Sequence, residues 1–260
     1  MNIDRERAIG TADLLRVFVR SLLIQASWSY DGMQSLGFSF ALLLVLKRLY
    51  PDRVEFDERL RLHMEYFNTQ PYLASFILGA VVRLEEDRAA GRASAIDAAG
   101  LKSALMAPLG ALGDSFFWGA LKPLDAVIAV ALVMAGTWWA PILFLLLYNL
   151  WHVGLRLSVL FWGYHSSGDA MALMERYSFT RMARMFKAIS LSVLGGALAG
   201  ISSWRPELVL TLPLPGLVVS FAALFFTLVL VSAVRRGGSP IKLMLGLALC
   251  CLVLAYAGVV

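Results

Sequence analysis

The chain has 260 residues, 59% of them hydrophobic and only 16% charged, with a net charge of +5. A soluble domain carries about 25% charged and about 45–50% apolar residues, so this balance excludes an ordinary soluble protein and leaves one integral membrane unit. The basic excess reads as cytosolic anchoring of membrane loops rather than nucleic-acid binding.

From Asp13 to about Gln25, the apolar residues Leu14, Leu15, Val17, Phe18, Leu22 and Leu23 fall mainly on one helical face, with Arg16 and Arg20 on another. The pattern predicts an amphipathic helix at the membrane surface or against a partner. Because the two arginines interrupt the apolar pattern, no signal-peptide core is expected there, and the N-terminus is expected to stay in the cytosol. The apolar run Gly37 to Leu49 is too short to cross a bilayer alone, since a span needs about 20 residues.

After Pro51, Phe56, Leu60, Met64 and Phe67 recur at helical spacing. The polar stretch His63 to Pro71, HMEYFNTQP, then predicts a helix break at Asn68-Thr69, with Pro71 opening the next helix. The apolar run Tyr72 to Leu84 leads into the polar segment EEDRAAGRASAID. A further apolar segment begins near Leu101 and is expected to break at Gly110 to Pro123, GALGDSFFWGALKP. Backbone that leaves a helix at membrane depth must be buried in protein or line a wet cavity. Two such breaks, bearing Asn68, Thr69 and Asp114, therefore predict a polar ligand site.

The second half is more apolar. Leu124–Thr137 and Ile142–Trp162 read as membrane helices divided by Trp138, Trp139 and Pro141. Residues 165–187 read as a polar surface helix or connection, followed by a short apolar piece, Ala188–Ile201. Leu217–Val234 and Leu243–Val260 are each long enough to span. Arg235, Arg236 and Lys242 put the loop between them in the cytosol and the C-terminus outside. The adjacent Cys250 and Cys251 suit neither a disulfide framework nor a metal site.

The expected fold is thus an all-α integral membrane protein of amphipathic surface helices, short re-entrant or broken helices and a few full transmembrane helices. Residues 1–123 form the amphipathic and re-entrant region carrying the site motifs, and residues 124–260 the transmembrane region. Short, interrupted hydrophobic segments are a sequence pointer to a transporter.

The segments SWSYDGMQSLGF, HMEYFNTQP, LKSALMAPLGALGDSFFWGALKP and YNLWHVGLRLSVLFWGY, with a C-terminal pair of spans after LPLPG, carry a resemblance spread over nearly the whole chain. The chain resembles the IID subunit of the mannose-type sugar phosphotransferase system. The resemblance implies a bacterial inner-membrane, multi-pass permease subunit that pairs with a IIC subunit to bind and import a hexose. It also implies oligomers of IIC–IID pairs, and phosphorylation of the sugar by a separate cytosolic IIB supplied by IIA. The family usually reads Asn-Tyr-Glu-Arg-Met-Gln where this chain has Ser29-Tyr30-Asp31-Gly32-Met33-Gln34. Gln70 and Ala107 also depart from its commoner Asn and Gly. These departures bear on which sugar is carried, and they motivate an alternative reading as a non-transporting scaffold or sensor.

A hexose presents hydroxyls that donate and accept, so amides, carboxylates and freed backbone groups are its natural partners. Asn68, Thr69, Asp31, Gln34 and Asp114 are the candidate substrate-binding residues. Against that stand helix capping by Asn68 or Thr69, an N-cap role for Asp114, and partner packing by the Asp31–Gln34 face. His63 is not expected to be a phosphate acceptor, as it sits on an amphipathic helix without a phosphate cradle, and His152 and Arg156 share a face suited to pairing within the bundle or across to a partner. No catalytic residue, metal or cofactor is expected in this chain, since no Walker loop, zinc spacing or nucleophile triad is present.

Overall fold

The computed structural model describes residues 9–92, 96–166, 178–204 and 216–256. They form two compact units divided at Ser190. Among the described residues there are helices and turns, with isolated bridges between Ser29 and Met33 and between Met33 and Phe67 but no β-strand.

In the first unit, helix α1 (Thr11–Ser21) buries Leu14, Val17, Phe18 and Ser21. The apolar residues of this amphipathic segment are not all on one face, because Leu15, Leu22 and Leu23 point outward. Asp13 begins the helix by accepting from the Gly10 N–H, then binds Arg48 of helix α2 (Ser35–Leu49). The short apolar helix α2 is therefore a core element, with Phe38, Leu42 and Leu46 fully buried.

Helix α3 (Arg53–His63) starts at Asp52, whose carboxylate accepts from the N–H groups of Val54 and Glu55, both at 3.0 Å. It ends earlier than the apolar spacing predicts. Met64 is exposed, and Phe67 lies beyond the helix yet is fully buried. The Lys102 ammonium donates to the carbonyls of Leu62 and His63, placing a cation at the helix C-terminus.

Helix α4 (Ala74–Ala89) runs through the centre, with no exposure from Ala74 to Val82. It crosses α7 (Ala140–His165) at backbone contact. A Cβ on Gly79 would lie 2.0 Å from the Leu160 carbonyl oxygen, and one on Gly163 would lie 2.1 Å from that of Phe76. Only glycine permits this approach, the small-residue packing common between membrane helices.

Helix α5 (Ala98–Gly113), a π-helical segment (Asp114–Leu121) and α6 (Lys122–Met134) are one continuous 37-residue helix. The expected second break is therefore a change of helical register within an unbroken rod, and Asp114 is not an N-cap. Pro108 and the glycines do not stop the helix; Gly113 instead makes room for Gln70, which a Cβ there would meet at 2.6 Å. This helix and α7 are the two described elements long and apolar enough to cross a bilayer. Along α7, Leu145, Leu146 and Leu150 are exposed, as befits a lipid-facing surface.

Helix α8 (Phe179–Trp204) includes residues read from sequence as a polar connection and a separate short apolar piece. Its first part buries Phe179, Ala183 and Phe186 against the first unit, where Phe116 packs on both phenylalanines. The second unit, residues 191–260, contains α9 (Gly216–Arg235) and α10 (Pro240–Tyr256), joined by a tight turn. Residues 212–215 of the LPLPG motif and the last four residues lie outside the described residues.

Candidate functional site

The helix break expected at Asn68-Thr69 is present, and its backbone is satisfied by side chains from elsewhere. The Gln34 amide donates to the Thr69 carbonyl at 2.7 Å and accepts from the Thr69 N–H at 3.3 Å. The Gln34 N–H itself donates to the Phe67 carbonyl at 2.8 Å. Thr69 donates its hydroxyl to the Met106 carbonyl on α5 at 2.9 Å. Gln70 caps the turn into α4, its side-chain oxygen accepting from Tyr72 at 2.7 Å and Leu73 at 3.0 Å. Capping therefore falls to Gln70, not to Asn68 or Thr69.

Met33 supports the same arrangement. It adopts φ +53°, a left-handed conformation uncommon outside glycine, and bridges to Phe67. The turn before Gln34 is thereby bent so that the Gln34 side chain reaches the break.

Beside the break lies a cleft of about 550 Å³. Gln34, Asn68, Thr69 and Asp114 all line it, drawn from the break and from the long helix. Asp31 does not; it sits on the exposed turn ahead of Gln34. Gln34 and Thr69 have their polar groups engaged, whereas the side chains of Asn68 and Asp114 make no hydrogen bond or ion pair among the described residues.

Sequence reasoning missed Ser103, Tyr66 and Trp118 in the same lining. Ser103, Ala107, Gly110, Asp114 and Trp118 follow one another at three or four residues, a single helical face. That periodicity was hidden by treating Gly110 to Pro123 as a break. Trp118 and Tyr66 supply half-exposed aromatic walls, and the Lys122 ammonium sits 4.9 Å from the Trp118 ring.

A second polar cluster, outside both long membrane helices, fixes the helix that enters the break. Glu85 of α4 accepts from Arg59 at 2.5 and 3.1 Å, from the His63 Nε2–H at 2.9 Å and from the Tyr50 hydroxyl at 2.6 Å. All four side chains are buried. Burial pushes the Glu85 carboxyl up, but the hydrogen bonds from His63, Arg59 and Tyr50 outweigh it and hold the group at about 2. Burial lowers His63 below its usual value, so the ring is neutral. Burial and then Glu85 raise Tyr50, keeping the phenol protonated. Sealed from solvent and bonded to Glu85, His63 ties the end of α3 to α4.

Together these features define a helical membrane protein with a polar cleft of ligand size between a helix break and a long helix. The model for the mannose/fructose/sorbose family IID component of the phosphotransferase system matches residues 8–260. The mannose-specific EIID component of Escherichia coli (strain K12) is 36% identical over 202 residues, covering 76% of this chain and 70% of that protein. The fructose permease IID component of Bacillus subtilis (strain 168) is 27% identical over 206 residues, covering 78% and 73%. Among solved structures, a chain of the mannose transporter ManYZ in complex with microcin E492 superposes with a TM-score of 0.58 at 29% identity, covering 97% of this chain and 98% of that one. The chain belongs to the mannose/fructose/sorbose IID family of the phosphotransferase system.

Proposed function

We propose that this chain is the IID subunit of a multi-pass permease in a bacterial inner membrane, forming with a IIC subunit the path by which a hexose enters the cell. The cleft beside Asn68 and Asp114 holds the sugar. Phosphorylation by the cytosolic IIB, supplied by IIA, then makes entry one-way, because the charged product no longer suits a site for a neutral sugar.

The observation that carries this reading is the pair of unspent polar side chains, Asn68 and Asp114, in a cleft whose backbone is otherwise satisfied. The Asn68 amide can donate and accept, and the Asp114 carboxylate accepts, which suits sugar hydroxyls. Tyr66 and Trp118 give apolar surface for the C–H faces of the ring. Gln34 and Thr69 take part by holding the break open. Asp31 contributes from outside the cleft, beside the exposed pair Trp28 and Tyr30, on the surface we assign to the IIC partner. Dimers of IIC and IID associate further, with lipid against α7.

The scaffold or sensor alternative is motivated by the changed residues Asp31 and Gly32, and neither lines the cleft. Uptake of labelled hexose decides between the two. Cells carrying this chain, its IIC partner and the soluble phosphocarriers should accumulate sugar phosphate, and deletion of this chain should abolish accumulation. Uptake that survives the deletion would contradict the transport role.

A further inference from the structure

Tyr72, the first residue after Pro71, leaves the break away from the cleft and enters a cluster of rings on the long helix and α7. Its ring meets Phe117 edge-on at 4.7 Å and lies 5.9 Å from Trp118, both in the π segment. On α7 it stacks at 31° on His152, 4.5 Å away, and its hydroxyl is 3.0 Å from the Tyr148 hydroxyl. Tyr72 thus touches the aromatic wall of the cleft with one side and α7 with the other.

The hydrogen-bond inventory of this pair is incomplete. Two phenols joined by one bond use one hydroxyl proton and leave the other without an acceptor. Asp125 lies on α6, which packs along α7, the helix that carries Tyr148. It is 5% exposed, and its Oδ2 has no hydrogen-bond partner. Asp125 lies seven residues beyond Trp118 on the same continuous helix. Tyr72 therefore contacts that helix at the cleft wall and reaches toward it again through Tyr148. The first of these points, Phe117 and Trp118, lies in the π segment, a register frequent at functional sites that gives way to α at Lys122.

We propose that Tyr72 is a positioning residue: through its hydroxyl pair with Tyr148 it holds the π register that turns Trp118 toward the cleft, and it passes movement of that wall to α6 and α7 during sugar translocation. The proposal rests on the cleft as the sugar site.

The test uses the complete transporter, with its IIC partner and phosphocarriers, and compares Tyr72→Phe, Tyr148→Phe and the double variant at matched membrane levels. Each single change removes one hydroxyl and keeps the ring. Each should lower the maximal uptake rate about tenfold, the cost of one lost hydrogen bond at the rate-setting step. KM should stay within about threefold of the unmodified protein. The double variant should be no slower than either single one, because both remove the same bond. Unchanged maximal rates, or single effects that multiply in the double variant, would overturn the proposal. If Tyr72→Phe fails to accumulate, Tyr148→Phe decides, since it removes the bond from the other side. Sugar binding unaffected by Asn68→Ala and Asp114→Ala would instead remove the cleft reading, whatever Tyr72 does.

Discussion

The Gln34 carboxamide takes the place of a missing backbone strand for Thr69, bonding both its carbonyl, at 2.7 Å, and its N–H, at 3.3 Å. Gln34 is 2% exposed and Thr69 6%, so water is a poor substitute partner for either backbone group. A buried donor or acceptor left unmade costs about 1–3 kcal/mol. Gln34→Leu keeps much of the bulk and removes both bonds. It should destabilise the protein by about 2–4 kcal/mol and weaken sugar binding by distorting the break. Thermal unfolding in detergent, together with sugar binding, checks both effects.

The Glu85 cluster makes stability depend on pH. The Glu85 carboxyl, held at about 2 against a usual 4.5, is depressed in the folded state, so its contribution is complete above pH 4.5 and is lost as pH falls toward 2. Burial depresses His63 from 6.5, which acts in the same direction, beginning as pH drops below that value. Unfolding temperature should therefore fall from about pH 6.5 downward and fall more steeply below about 4.5. Glu85→Gln should lose about 3–5 kcal/mol at neutral pH, because it leaves the buried Arg59 guanidinium without its counter-charge. Melting curves of both proteins from about pH 8 down to about pH 3.5 provide the measurement, taking in the His63 titration and the onset of the Glu85 loss.

The α4–α7 crossing allows no added carbon. Gly79→Ala and Gly163→Ala would each press a methyl group onto a facing carbonyl, at 2.0 and 2.1 Å, and must spread the helices. Overpacking of this kind costs about 1–3 kcal/mol. Each variant should melt lower than the parent in detergent, and the effects should add incompletely because both act on one contact.

The sequence made the helix break legible because Asn68, Thr69 and Pro71 are local signals: proline and short polar side chains act on their own backbone. It did not make Asp114 legible in the same way. Gly110 and Gly113 look like breakers in isolation, yet Gly113 is set by the Gln70 side chain packed against it from the break 43 residues earlier. Nothing local can encode such a contact. The Glu85 cluster was hidden for the same reason, since Tyr50, Arg59, His63 and Glu85 meet only after three helices have packed. Residue type singled out Asn68 and Asp114, which line one cleft, while the engagement of Gln34 and Thr69 in holding the backbone was not legible.

The cleft itself is tested most directly by calorimetric or equilibrium-dialysis binding of a transported hexose to the purified IIC–IID complex carrying Asn68→Ala, Asp114→Ala or both. Each single variant should weaken binding about tenfold, the loss of one or two sugar hydrogen bonds, with an unfolding temperature close to that of the parent because neither side chain is engaged within the fold. Parental affinity in the double variant would contradict the account.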